Sequence, residues 1–159
     1  MKDICSADQL FELWIWLSQA SFAISKARQK ELNQYGLTEV QTIVLLILKS
    51  LNHQPTPGEI AYWLFREHNS VSEIINRMVK KGLLIKHKDP LKKNMVRIAL
   101  TEKGEQAYLL STKRQSIINV FSELSYSDYK QLLGYIKEIR NRAVEQAGLE
   151  NKPIYPPSM

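Results

Sequence analysis

The sequence predicts a mainly α-helical fold in which a run of short helices passes into a single β-hairpin. Three observations carry this expectation. Helical periodicity dominates both ends of the 159-residue chain. Between Thr38 and Lys81 the apolar segments are short and punctuated by capping and turn residues. From Leu84 to Leu100 the pattern changes to that of two strands around a polar, basic tip.

The first element spans Asp8 to about Gln34. Leu10, Phe11, Leu13, Trp14, Ile15, Leu17, Phe22, Ile24 and Ala27 cover more than one stripe of it, which predicts a helix that meets several partners. Gly36 supplies its stop. The second helix opens at Thr38-Glu39-Val40-Gln41, which has capping-box spacing: the threonine hydroxyl accepts from the third helical amide while Gln41 reaches back. Thr56-Pro57-Gly58-Glu59 opens a third, short helix by the same logic, with proline at its first position, and this helix runs to about Phe65. After the polar turn at residues 66–69, a fourth helix begins near Asn69 or Ser70 and runs to Lys81, where Gly82 caps it. Val71, Ile74, Ile75 and Met78 point inward, leaving Ser70, Ser72, Glu73, Asn76, Arg77 and Lys80 outside.

Leu84 to Lys88 and Met95 to Leu100 then read as paired strands, with Asp89 to Asn94 as the hairpin tip. Thr101 caps another long helix, despite Gly104 in its first turn, and a last helix runs from Ser125 to near Ala147. The tail Asn151 to Met159, with three prolines, is expected to be extended. Length and composition fit one domain over residues 1–159: hydrophobic residues make up 44% and charged residues 24%, so a core can form without disulfides or metals.

Order and chemistry together define a winged helix-turn-helix lobe over residues 38–100, flanked by helices at both ends. The second helix of such a pair is presented to a DNA major groove and the hairpin, or wing, to the backbone or minor groove. The charge distribution agrees. The net charge is +6. Between Arg66 and Lys103 lie ten basic residues and four acidic ones, while the rest of the chain carries twelve of each. Ser70, Ser72, Asn76 and Arg77 have the side-chain chemistry to contact base edges or phosphates, with Glu73 on the same face. Thr56, Lys92, Lys93, Asn94 and Arg97 complete the expected DNA-contacting set.

Other chemistries are less well served. The single cysteine, Cys5, cannot form an internal disulfide and fits a reducing, cytoplasmic setting; a redox role for it is disfavoured by the lack of a basic neighbour other than Lys2. His53, His68 and His87 lack metal-ligand spacing. Ser70, Ser72 and His68 have no third residue or oxyanion loop, so no enzyme and no cofactor is expected. The stretch Leu10 to Ile24 is too short and too interrupted to span a membrane, and the start of the chain lacks a secretory signal's apolar run.

Two segments carry a family likeness: NSVSEIINRMVKKGLL, which closes the fourth helix, and KDPLKKNMVRIALTEKG, the wing followed by Leu-Thr-x-x-Gly. From about Leu37 to Tyr108 the sequence resembles the MarR family of bacterial transcriptional regulators. The resemblance implies a homodimer that joins helices 8–34 and 101–147 of two chains, binds a palindromic operator in double-stranded DNA, and acts as a repressor released by a small-molecule effector. The alternative is a winged-helix interaction or architectural module without operator specificity. In the family's wing an aspartate precedes a basic pair whose first arginine enters the minor groove. Here those positions are Lys92, Lys93 and Asn94, so the arginine's role passes to Lys93 and the aspartate is absent. Glu73 stands where many relatives carry a basic residue. The resemblance further implies an aromatic effector between dimer helices and DNA lobe, for which Trp14, Trp16, Phe22, Tyr35 and Trp63 are the candidate lining residues.

Overall fold

A computed structural model describes residues 4–149. The expected tail at 151–159 lies outside them, as does Lys2. The elements follow in the order α1 (Ala7–Asn33), α2 (Glu39–Ser50), α3 (Pro57–Leu64), α4 (His68–Lys80), β1 (Leu84–Lys88), β2 (Val96–Leu100), α5 (Glu102–Ser111), α6 (Gln115–Phe121) and α7 (Tyr126–Gln146). The strands pair antiparallel, Leu84 opposite Leu100 and Lys88 opposite Val96.

Local chemistry sets most of the boundaries. Both expected capping boxes form: Thr38 with Gln41, and Thr56 with Glu59. A third, Ser6 with Gln9, opens α1 and lies just upstream of the expected start. Gly36 and Gly82 adopt positive φ (65° and 74°) where the chain leaves α1 and α4. Helix α4 starts at His68, slightly earlier than expected, with Glu67 at the N-cap and no side-chain cap bond.

The core lies in the lobe. Val44, Leu45 and Ile47 of α2, Ile60 of α3, Val71, Ile75 and Met78 of α4, and Leu84 and Ile98 of the hairpin are essentially inaccessible. Leu32 of α1 and Ala107 of α5 join the same cluster, which attaches both flanking segments to the lobe. The Ile98 amide donates to the Pro55 carbonyl at 2.9 Å, so the loop before α3 lies along the wing's inner strand.

The flanks differ from the lobe. Every residue from Ile4 to Ala23 is exposed, including Phe11, Trp14, Trp16 and Phe22. Helix α7 has no extensive contact with another element among the described residues and leaves Tyr126, Tyr129, Tyr135, Ile136 and Ile139 accessible.

One expectation is corrected. The helix capped by Thr101 is not long: α5 ends at Ser111, and Arg114 takes a left-handed conformation (φ 51°) before α6 begins. Side chains of α1 take up hydrogen bonds released at this break. Gly104 is no anomaly in α5 either. A β-carbon there would lie 2.1 Å from the Leu83 carbonyl oxygen and 3.1 Å from Leu100 Cδ2. Only glycine lets α5 seat on the turn between α4 and β1.

Helix propensity alone would make Gly104→Ala stabilising by about 1 kcal/mol. The clash with backbone reverses the sign, and a net loss of about 1–3 kcal/mol is expected from overpacking. Urea unfolding of the two proteins decides between the signs.

Candidate DNA-binding interface

The turn between α3 and α4 is tight because Phe65 adopts a left-handed conformation (φ 57°, ψ 38°) at the C-cap of α3. Phe65 and Arg66 amides close on the last carbonyls of that helix, Tyr62 and Ala61. This turn aims the outer face of α4 at solvent. Ser70, Glu73, Asn76 and Arg77 are exposed there and Ser72 is half-buried. Internal bonds order the face. Arg77 pairs with Glu73 one turn earlier at 3.1 Å. Lys86 of β1 donates to Asn76 Oδ1 at 2.6 Å. Ser72 Oγ lies 3.5 Å from His68 Nδ1. Both partners of the Arg77–Glu73 pair are about 70% exposed (69% and 71%), so it adds little stability; what it does is hold the guanidinium along the helix.

Thr56 lies at the N-cap of α3, where its hydroxyl accepts from the Glu59 amide (3.2 Å) and its own amide donates to Glu59 Oε2 (2.7 Å). Glu59 also meets His53 Nε2 at 2.8 Å and Arg97 Nη1 at 3.5 Å. Burial acts to raise the Glu59 carboxyl, yet the Thr56 amide and His53 hold it below the usual range.

The wing is built around Asp89, which is only 8% exposed. One carboxylate oxygen accepts from the Leu91 and Lys92 amides (2.8 and 2.9 Å), folding the tip into a fixed turn. The other accepts from Arg97 Nε at 2.7 Å, and Arg97 Nη1 reaches the Gln54 carbonyl at 3.1 Å. His87 of β1 is hydrogen-bonded to the Gln54 side chain. Arg97 therefore ties the tip to the base of the wing, while Lys92, Lys93 and Asn94 stand exposed beyond it. The Arg97 guanidinium, followed by the Lys92 and Leu91 amides, lowers the Asp89 carboxyl to about 2.

The structure thus places the α4 residues on one face and the three tip residues together on the wing, with Thr56 and Arg97 between them as braces. Sequence reasoning missed Asp89 and Lys86 as organisers of this surface, and Leu91, 93% exposed at the tip. An apolar residue between a proline and two lysines at a hairpin tip was the available signal for Leu91. The candidate effector residues are not gathered in one place. Trp14, Trp16 and Phe22 are exposed on α1, whereas Tyr35 and Trp63 pack on the core of the lobe. Two cavities flank α7. One, about 550 Å³, is lined by Phe121, Leu124, Tyr126, Tyr129, Leu132, Leu133 and Ile136. The other, about 370 Å³, lies between Leu13 and Leu17 of α1 and residues from Leu132 to Arg142 of α7. None of the five aromatic candidates lines either. Among the described residues no group of His, Cys, Asp or Glu side chains is arranged to hold a metal, and no helix is long and apolar enough to cross a membrane.

Residues 37–104 match the winged helix DNA-binding domain family. The chain is 34% identical over 108 residues (67% of this chain, 73% of the relative) to the uncharacterized HTH-type transcriptional regulator YsmB of Bacillus subtilis (strain 168). Among solved structures it is similar to the organohalide sensing transcriptional regulator RdhR-CbdbA1625 in its 2,4-dichlorophenol-bound form, with a TM-score of 0.84 and 25% identity over 100% of this chain and 98% of that one. A mutant MarR from E. coli complexed with operator DNA has the same fold, with a TM-score of 0.76 at 16% identity over 86% of this chain and 99% of that one. The chain belongs to the MarR family of winged helix-turn-helix transcriptional regulators. The family's fold accounts for the two-part architecture: a packed lobe bearing α4 and the wing, and flanking helices whose apolar faces are uncovered in a single chain.

The Asp89 turn gives a pH signature. Its carboxyl is lowered in the folded state, so its stabilising contribution is full above the ordinary aspartate value of 3.8 and is lost as pH falls through about 2. The Leu91 and Lys92 amide resonances should hold steady from pH 7 to about pH 4 and move with a midpoint near 2. In Arg97→Ala the midpoint should rise toward the ordinary value. A wild-type midpoint already at the ordinary value would contradict the Asp89–Arg97 pairing.

Proposed function

We propose that this MarR-family regulator is a cytoplasmic homodimer that binds a palindromic operator in double-stranded DNA and acts as a repressor released by a small aromatic effector, with no catalytic step and no cofactor. The observation that carries the reading is the pairing of an exposed polar α4 face with a rigid wing that holds Lys92 and Lys93 at its tip, both on one lobe. The helix chemistry suits base edges, and lysine ammonium groups suit phosphates or a narrow minor groove.

Dimerisation is supported by the flanks. The aromatic and aliphatic side chains left exposed on α1, α6 and α7 form a surface of a kind that monomers seldom present to water. A twofold dimer would set two copies of α4 about 34–36 Å apart, one helical turn of DNA. The aromatic effector is supported by the 2,4-dichlorophenol bound to RdhR. Trp14, Phe22, Tyr35 and Trp63 remain the residues proposed to face it once a second chain closes over α1. An effector acts here only through unequal affinity for two spacings of the reading heads.

Light scattering at micromolar concentration should return twice the chain mass of 18.4 kDa. A stable monomer would remove the basis for a palindromic operator.

The wing and α4 are expected to divide the work of binding. Lys93→Ala should weaken operator and random DNA by similar factors and reduce the salt slope by about 1 for each phosphate it no longer neutralises. Ser72→Ala combined with Asn76→Ala should instead narrow the operator-to-random affinity ratio, each base contact removed costing about 1–3 kcal/mol of discrimination, with the salt slope nearly unchanged. Titrations of both variants against selected and scrambled duplexes at several salt concentrations separate the two roles. Equal affinity of the wild type for selected and scrambled DNA would favour an architectural module.

A further inference from the structure

The break between α5 and α6 is held by an ion pair contributed by α1. Arg114 at φ 51° ends helical continuity without glycine or proline, leaving the last carbonyls of α5 and the first amides of α6 in need of partners. Glu31 supplies the second set: its carboxylate accepts from the Gln115 amide (2.9 Å), the Ser116 amide (3.1 Å) and the Ser116 hydroxyl. Arg28, one turn earlier on α1, supplies the first: Nη2 donates to the Ser111 carbonyl at 2.6 Å, and Nη1 pairs with Glu31 at 2.8 Å. Both side chains are about nine-tenths buried, with 9% and 10% of their surfaces exposed. Burial would raise the Glu31 carboxyl, but the bonds from Ser116, Arg28 and Gln115 hold it at about 2, so the carboxylate is ionised throughout the neutral range.

The position of this cluster gives it a use. Helix α5 is seated on the lobe through Gly104 and Ala107, and α1 is attached to the same lobe through Leu32. Helices α6 and α7 lead away to the uncovered apolar faces. The break is therefore the covalent joint between reading head and dimerisation arm, and a single buried ion pair clamps both of its helix ends to α1.

We propose that Arg28 and Glu31 are positioning residues that fix the angle between the DNA lobe and the α6–α7 arm, and thereby set the half-site spacing the dimer accepts. Neither touches DNA. The assignment rests on the dimeric DNA-binding reading above, and it adds to that reading where operator spacing is encoded. The clamp fits this role because it is stiff by construction. The arrangement gathers four donors onto one carboxylate, Arg28 Nη1 among them, and the other arm of the guanidinium onto a helix end, so loosening it leaves a buried charge unpaired.

The test has two arms. Nitroxide labels at Lys80→Cys on α4 and Lys137→Cys on α7, in a Cys5→Ser background and diluted into unlabelled chains, report the lobe-to-arm distance by double electron–electron resonance. The wild-type clamp should give one narrow distribution, and Glu31→Ala a broad one. Ser116→Ala, which removes one donor but keeps the ion pair, should broaden it partially and guards against loss of folding in the stronger variant. In the second arm, duplexes are selected by the wild-type protein from a random pool. Glu31→Ala should bind the selected two-half-site duplex about ten-fold more weakly while binding a single half-site equally well, because the variant gives up effective concentration and keeps its contacts. It should also accept duplexes with one or two base pairs inserted between half-sites, which the wild type rejects. A merely structural role would lower half-site and full-site binding together. Distance distributions as narrow in folded Glu31→Ala and Ser116→Ala as in the wild type would overturn the assignment, as would unchanged spacing selectivity. If the wild type selects no duplex, the DNA-binding reading fails instead, and the first arm still decides whether the clamp sets the angle.

Discussion

The C-terminal end of α4 is where the molecule is tied together. The amides of residues 81–83 close the last carbonyls of α4, and this leaves the carbonyls of Lys81, Gly82 and Leu83 in the turn, which residues that open α5 satisfy. The Thr101 amide donates to the Leu83 carbonyl (3.1 Å), its hydroxyl to Gly82 (2.6 Å), and Lys103 Nζ to Lys81 (2.7 Å). Gly104 permits the approach that brings these donors into range. The same few residues end α4, start β1, close β2 and start α5. The orientation of the α4 outer face, the root of the wing and the departure of the arm are all fixed at this one contact. The Leu-Thr-x-x-Gly segment is thus a device for fastening the turn after one helix to the beginning of another.

Features encoded by neighbours in sequence were legible in advance. Thr38 with Gln41, Thr56 with Glu59, and Ser125 before α7 each announce a helix start within four residues, and Gly82 announces an end. The alternation around residues 89–94 announced the hairpin, and with it the grouping of Lys92, Lys93 and Asn94. The break at Arg114 was not legible. Thr112, Lys113 and Arg114 contain no breaker, and the partner that makes the break tolerable, Glu31, is 84 and 85 residues away from the amides it receives. The role of Arg97 was hidden for the same reason. As sequence it is one more cation in a basic stretch; its engagement with Asp89, Gln54 and Glu59 depends on strand pairing and on where the loop before α3 runs. The aromatic residues of α1 were read correctly as apolar and incompletely as to their surroundings, since Phe11, Trp14, Trp16 and Phe22 stand exposed on the helix of the single chain.

Two kinds of surface result from this division. Inside the lobe, burial of aliphatic side chains from five elements gives a packed body, to which Leu32 of α1 and Ala107 of α5 contribute. The flanks carry the complementary property: long helices whose apolar residues find too few partners at home. In the proposed dimer such a chain gains stability from association, and the geometry of the associated state becomes available as a variable. That requires a connection between body and arm firm enough to transmit a change in one to the other. The buried bonds at the α5–α6 break meet that requirement without occupying the surface of α4 or the wing.

The electrostatics of the lobe follow the same separation of duties. Its basic excess does not act as a uniform field, because the arginines and lysines differ in what surrounds them. Arg97 is engaged by Asp89 and Glu59, and Arg77 by Glu73. Guanidinium groups are suited to this, since their fixed fork matches a carboxylate and holds it. These pairings use up much of the lobe's acidity internally. The lysines at the wing tip remain exposed on flexible stems, where an ammonium group can follow a phosphate without demanding one geometry. The tip is braced from beneath by Asp89 and Arg97, and itself carries Lys93. In the proposed function this makes a wing that is rigid in its frame and tolerant in its contact, and leaves the reading of bases to the ordered side chains of α4.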